Sequence, residues 1–115
     1  MSVSEDPKIK KIAGDVERSY YSFYIPEDFV QFPHHFSNAP IIAGVTQVDW
    51  VVRLIEDYMG PLRFMGMSKI KFMRPILPQT TMNLTLTRVK KSAWQFHFEG
   101  NGRSYSSGQI DFHDR

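Results

Sequence analysis

The stretch GVTQVDWVVRLIEDYMGP, residues 44–61, decides the fold. Its apolar residues recur at the three- and four-residue spacing of one helical face: Val45, Val48, Val52, Ile55 and Met59. Gly60-Pro61 ends this pattern, so the sequence predicts a helix over residues 44–59. Val51, Leu54 and Tyr58 add apolar area outside that face, which predicts a helix that is surrounded rather than docked on one side.

After the helix, the apolar period changes to two residues. In residues 68–74, 81–87 and 93–99, apolar side chains alternate with polar ones, which predicts three strands that each have one apolar face. Asn101-Gly102 is typical of a type I′ hairpin turn and leads into a last strand over residues 103–112.

Before the helix, the residues predict one strand and two irregular segments. Residues 16–25 (VERSYYSFYI) are rich in aromatic side chains and predict the first strand. Residues 26–40 contain three prolines and predict an ordered loop with a helical turn at residues 27–31. Residues 1–12 are polar and charged and predict a frayed N-terminal segment.

These elements predict an α+β fold with one domain over residues 1–115. An antiparallel sheet of about five strands has one apolar face, and a single helix is available to cover it. A sheet wrapped around one long central helix meets both conditions. The nine Phe, five Tyr and two Trp of the chain indicate a core or interface of bulky rings.

The composition excludes several classes of protein. The chain has no cysteine, which excludes disulfides, thiolate metal sites and a cysteine nucleophile. A net charge of +2 is too small to indicate a nucleic-acid partner. The sequence shows no signal-peptide pattern and no apolar run long enough for a membrane span, so we expect a cytoplasmic protein. No His/Asp pair has metal-ligand spacing on a helix, so we expect neither a metal nor another cofactor.

The stretch before the helix carries the chemistry. Residues 35–45 read HFSNAPIIAGV, and Asp49 follows five positions after Gly44. This resembles the pattern His-Phe-Pro-Gly-x-Pro-x-x-Pro-Gly-Val of the hotdog-fold 3-hydroxyacyl-carrier-protein dehydratases, in which an acidic residue lies fourteen positions after the histidine. Residues 69–84 (KIKFMRPILPQTTMNL) are similar to a second segment of that family, Arg-Pro-x-x-Pro-Gly-Asp. The acid is Asp rather than Glu, as in the 3-hydroxydecanoyl branch of that family. The short chain and the stretch Gln47–Trp50 look most like the small dehydratase-like proteins of aryl-polyene gene clusters.

The resemblance implies elimination of water from a (3R)-hydroxyacyl thioester to give a trans-2-enoyl thioester. His35 is then the base that removes the C2 proton, since imidazole titrates near physiological pH. Asp49 is the acid that protonates the leaving hydroxyl. By its helical angle it borders the apolar face, where desolvation would favour the protonated carboxyl. The backbone N–H groups of Gly44 and Val45 are the candidate oxyanion donors at the positive end of the helix.

The same resemblance implies an assembly and a partner. It implies a homodimer in which His35 of one chain faces Asp49 of the other, with the acyl tail in an apolar tunnel at the interface. Phe36 and Pro40 are carried over as substrate-binding residues. The implied partner is an acyl carrier protein that bears the substrate.

The sequence departs from the family at several turn positions and leaves two alternatives open. Ser37-Asn38 replaces Pro-Gly, Ala43 replaces a proline and Gln79 replaces a turn glycine. A hotdog thioesterase, in which Asp49 activates water, is one alternative, and a non-catalytic acyl-thioester-binding partner is the other. We interpret His34 as a neighbour of His35 without a chemical role, and Glu56 as structural, paired with Arg53 or lysines. Seven basic residues predict either solvated faces or a rim for an acidic carrier protein: Lys69, Lys71, Arg74, Arg88, Lys90, Lys91 and Arg103.

Overall fold

The computed structural model describes residues 9–15, 17–26, 44–60, 63–77 and 79–113. In chain order, the elements are β1 (Lys10–Gly14), β2 (Arg18–Ile25), α1 (Gly44–Met59), β3 (Phe64–Phe72), β4 (Thr80–Lys90), β5 (Ala93–Gly100) and β6 (Arg103–Phe112). The strands form one antiparallel sheet in the order β1-β2-β4-β5-β6-β3. In these ranges no helix has the length and apolar character to cross a membrane.

The sheet has six strands where the sequence predicts about five, and β1 is the additional one. It lies partly inside the segment predicted to fray over residues 1–12. All five of its residues are exposed, so it has no apolar alternation that a sequence pattern could reveal. Its backbone pairing with β2 holds it at the sheet edge. Residues 1–8 and the helical turn predicted at 27–31 lie outside the described residues.

Side-chain and turn contacts attach β1 to the rest of the fold. Lys11 Nζ donates a hydrogen bond of 2.7 Å to the hydroxyl of Tyr58 near the end of α1, and this bond raises the pKa of Lys11. In the β1–β2 turn, Asp15 Oδ1 accepts from the backbone N–H of Arg18 at 3.1 Å and of Glu17 at 2.9 Å. Both bonds stabilise the carboxylate and lower the pKa of Asp15. The turn therefore determines where β2 begins.

The core lies between α1 and one face of the sheet. The indole of Trp50 is at its centre, with ring centroids 5.5 Å from Phe23 and 6.4 Å from Phe98 in edge-on contact. The helix is most deeply buried around Val51 and Ile55. Alternate residues of the central strands supply the other side: Tyr21, Phe23, Met82, Leu84, Leu86, Trp94, Phe96, Phe98 and Ile110.

The helical face predicted from the apolar spacing is rotated relative to the buried one. Met59, assigned to that face, is exposed, whereas Trp50 and Gln47 lie outside it and are buried. Apolar spacing treats every residue of a type alike, but the large Trp50 ring packs against Phe23 and Phe98 and so turns its side of the helix towards the sheet.

The period-two segments 81–87 and 93–99 lie within β4 and β5, whereas the segment 68–74 runs two residues past the end of β3 at Phe72. The last hairpin has the predicted turn. Leu84 opposes Phe98 and Leu86 opposes Phe96 across β4 and β5, so the apolar positions share one face. Asn101 and Gly102 have φ of +52° and +73°, which confirms the type I′ turn.

Candidate active site

The first residue of the described helix, Gly44, lies against an aromatic ring from β3. A Cβ atom built on Gly44 would be 2.5 Å from Cζ of Phe72, closer than two carbons can approach. Glycine here therefore lets the helix start and the Phe72 ring come together. The predicted oxyanion donor thus lies beside the ring of the last residue of β3.

A buried hydrogen bond connects the first turn of α1 to the sheet. Ser106 Oγ, on β6, donates to Gln47 Oε1 at 2.6 Å, and the two residues are 0% and 3% exposed. Because Gln47 lies between Gly44 and Asp49, this bond holds the helix segment that carries both candidate site residues. The sequence pattern did not reveal it, since a lone glutamine on a helix is normally a surface residue.

Removal of this bond should destabilise the protein. We expect Ser106→Ala to lower the free energy of unfolding by about 1–3 kcal/mol, because a buried hydrogen bond between β6 and α1 is lost. The matched change Ser107→Ala, on the opposite face of the same strand, should stay within about 0.5 kcal/mol of wild type. Urea denaturation followed by tryptophan fluorescence measures both. Equal losses for the two variants would contradict the role of the Gln47 bond.

Asp49 lies on the side of α1 that faces away from the sheet. Val51 is at the centre of the buried face, and Asp49 precedes it by two residues. At about 100° per residue this is a rotation of about 200°, so the two side chains are about 160° apart around the helix. The Asp49 side chain is 49% exposed, and Oδ2 lies 3.0 Å from Nε of Arg53. The expected position at the edge of the buried face is therefore wrong, because the helix is rotated towards Trp50 and Val51. The described part of the chain leaves about half of the Asp49 side chain exposed to water.

The sequence predicts further site residues around the start of α1. His34, His35, Phe36 and Pro40 lie outside the described residues, and so does the side chain of Val45. The convergence of His35 on Asp49 stays a prediction. Within the described ranges, no three His, Asp or Glu side chains come close enough together to hold a metal ion.

The second family-like segment runs from β3 into β4. Its Gln79 has φ of +59°, a left-handed conformation that glycine adopts at little cost. The backbone N–H of Gln79 donates to the carbonyl of Ile25 at 2.6 Å. This conformation accounts for the glycine found at the corresponding position of the resembled family, and Gln79 adopts it with some strain.

Two curated proteins are similar to this chain, and both are named 3-hydroxyacyl-[acyl-carrier-protein] dehydratase FabZ. The protein from Syntrophobacter fumaroxidans is 32% identical over 52% of this chain and 47% of its own length. The protein from Magnetococcus marinus is 25% identical over 69% of this chain and 57% of its own length. The chain thus spans about half the length of the curated relatives it matches.

A solved structure extends the similarity to nearly the whole chain. The structure described as the dehydratase heterocomplex ApeI:P from Xenorhabdus doucetiae matches with a TM-score of 0.85 and 22% sequence identity. The match covers 95% of this chain and 99% of that chain. At this identity it shows the fold, a sheet around one helix, which is the hotdog fold that the resemblance implies.

A family model matches most of the chain. The model described as ApeI-like, ApeI dehydratase, matches residues 11–109. That range runs from β1 into β6 and includes α1 with Gly44 and Asp49. The chain therefore belongs to the ApeI-like dehydratase family of hotdog-fold proteins.

Proposed function

We propose that this protein is a 3-hydroxyacyl-acyl-carrier-protein dehydratase. It removes water from a (3R)-hydroxyacyl thioester and yields the trans-2-enoyl thioester, in cytoplasmic synthesis of a fatty-acid or aryl-polyene chain. The observation that carries the proposal is a combination: the family match over residues 11–109 includes His35 and Asp49 at the dehydratase spacing of fourteen residues.

In the proposed reaction, His35 removes a proton from C2 of the substrate. The electron pair of that C–H bond forms the C2=C3 double bond, and the C3–O bond breaks. Asp49 gives its proton to the leaving hydroxyl, which departs as water. The backbone N–H of Gly44 donates to the thioester oxygen, on which negative charge develops, and the helix N-terminus favours that charge.

The exposure of Asp49 supports a site shared between two chains. A carboxyl that protonates a leaving group needs a water-poor environment, and Asp49 faces away from its own sheet and contacts Arg53. A second copy of the chain supplies the missing cover. In the proposed homodimer, His35 of one chain lies opposite Asp49 of the other, and the acyl tail occupies the interface with Phe36 and Pro40.

Strand β3 is the proposed dimer contact. Among the described strands it ends the sheet and pairs with β6 alone, so its outer backbone groups can pair with another strand. It also exposes large apolar side chains, which a second chain would remove from water. These are Phe64, Met65, Met67 and Phe72.

The test of the function is a direct dehydration assay. Purified protein should convert 3-hydroxyacyl groups of several lengths, including aromatic ones, on both acyl carrier protein and N-acetylcysteamine. Mass spectrometry should then detect loss of one water with the thioester intact. Release of free thiol would instead indicate a thioesterase. Tight binding of the acyl thioester without turnover at any pH would indicate the non-catalytic alternative.

A further inference from the structure

The sheet face opposite to α1 contains a groove that the proposed reaction does not use. Its volume is about 590 Å³, and it crosses five strands from β2 to β3. Strands are spaced about 4.8 Å apart, so it is roughly 19 Å long. Its floor consists of hydroxyl, amide and imidazole groups, among them Thr85, Gln95 and His97. A polar floor of this kind fits a polar partner surface rather than an acyl chain.

Basic side chains line both ends of the groove. Arg18 is at the β2 end, and Lys69 and Lys71 are at the β3 end. Among the described residues that line it, none is Asp or Glu. Glu99 lies two residues beyond His97 on β5, outside the lining, and two further carboxylates have other contacts. Glu17 Oε2 lies 3.8 Å from Nη1 of Arg88, and Asp111 Oδ1 accepts a 3.0 Å hydrogen bond from Gln109 Nε2.

The backbone holds these basic residues in position. Between Ser68 and Lys71 the β3–β6 register shifts, and Lys69 in this bulge has φ of +55°. A lysine in the left-handed region is strained, and such strain persists where the surrounding structure supports it. Here Ile70 supplies the support: a Cβ on Gly108 would be 2.3 Å from Ile70 Cδ1, so the Ile70 side chain is packed on the core side.

The basic β3 end of the groove is continuous with the candidate site. Lys71 and Phe72 are adjacent on β3, where Lys71 lines the groove and Phe72 contacts Gly44 on the other face. A partner that binds Lys69 and Lys71 therefore lies close to the proposed oxyanion donor, Gly44. Only the width of strand β3 separates the two.

We propose that this groove docks the acidic surface of the acyl carrier protein that brings the substrate, an inference that rests on the proposed function. Charge complementarity supports this occupant, since basic residues at both ends face a partner rich in carboxylates. Of the seven basic residues predicted for a carrier rim, the groove uses Lys69 and Lys71, and it adds Arg18. Arg88 lies instead over the Trp94 ring, 5.0 Å from its centroid.

The test compares charge reversal in the groove with the same change elsewhere. The groove variant is Arg18→Glu, on β2 and away from the proposed dimer strand β3, and the control is Arg103→Glu, at the exposed hairpin turn of β5–β6. The full-length protein is assayed with one 3-hydroxyacyl group on holo-acyl carrier protein and on N-acetylcysteamine. Direct binding of holo-acyl carrier protein is measured by calorimetry at low and high salt.

We expect the groove variant to raise KM for the carrier-bound substrate, and Kd for the carrier, by about tenfold or more. At high salt, the Kd of the groove variant for the carrier should approach that of wild type, because salt screens the charges. The carrier-free thioester should be turned over at the wild-type rate, which also shows that the variant folds. The control should behave as wild type with both substrates.

The result that overturns the inference is equal carrier binding by the groove and control variants. A change of oligomeric state in the groove variant alone would also overturn it, since the groove would then hold a second copy of the chain. If wild type dehydrates neither substrate, the proposed function fails. The calorimetric comparison would still decide whether the groove binds the carrier.

Discussion

His35→Ala and Asp49→Asn are each expected to lower the turnover of a 3-hydroxyacyl thioester by about 10²–10⁴-fold, the usual contribution of a positioned acid or base. Each change removes one proton-transfer group from the proposed site and leaves the other in place. Initial rates with the N-acetylcysteamine thioester measure the loss without any effect of carrier binding.

The chain offers a matched control for each of these residues. His34→Ala removes the neighbouring histidine, and Asp57→Asn neutralises another exposed carboxylate of α1. Both should retain activity close to that of wild type. If His34→Ala is as inactive as His35→Ala, the assignment of the base to His35 is wrong.

A mixture of the two inactive variants distinguishes a shared site from a site within one chain. Half of randomly mixed dimers combine His35→Ala with Asp49→Asn, and each has one site that is intact and one that lacks both groups. Co-refolded protein should therefore recover about a quarter of the wild-type activity. No recovery, in a mixture shown to form mixed dimers, would contradict a site built from two chains.

Lysine substitution on β3 is expected to separate the dimer and inactivate both sites. Met65 and Met67 are 58% and 53% exposed on the edge strand. In Met65→Lys/Met67→Lys, two like charges from each chain meet at the proposed contact, where burial of an unpaired ammonium is costly. Light scattering should report a monomer. Activity should fall about as far as in His35→Ala, because Asp49 loses its partner chain.

The other sheet edge provides the control for this experiment. Ile12 on β1 is 58% exposed, and Val89 is exposed near the end of β4. Ile12→Lys/Val89→Lys adds the same charge away from β3 and should leave the dimer and the activity unchanged. A monomeric wild type with full activity would contradict the proposed assembly as a whole.

Much of the fold follows from local pattern. The alternation in residues 81–87 and 93–99 places Leu84 and Leu86 opposite Phe98 and Phe96, because side chains of a strand alternate between faces whatever the rest of the chain does. Asn101-Gly102 is equally local, since a two-residue turn needs φ > 0 at both positions.

Other features depend on contacts between distant residues. The rotation of α1 follows from the packing of Trp50 against Phe23 and Phe98, residues 27 and 48 positions away. The same rotation places Asp49 on the outer side of the helix and corrects its expected position. The Gln47–Ser106 bond joins residues 59 positions apart, and no local sequence pattern around either residue predicts it.

The sequence by itself therefore determined the candidate catalytic groups, His35 and Asp49 at a dehydratase spacing. It also determined the main elements, which are one helix and strands with a period of two. Spacing and alternation are properties of neighbouring residues, so they can be read before the chain folds. Only the tertiary structure decided which face of α1 is buried, that β1 completes the sheet, and that Arg18, Lys69 and Lys71 share one groove. Those features arise from contacts between segments far apart in the chain. The packing energy of such contacts exists only once the chain has folded, so no local pattern contains it.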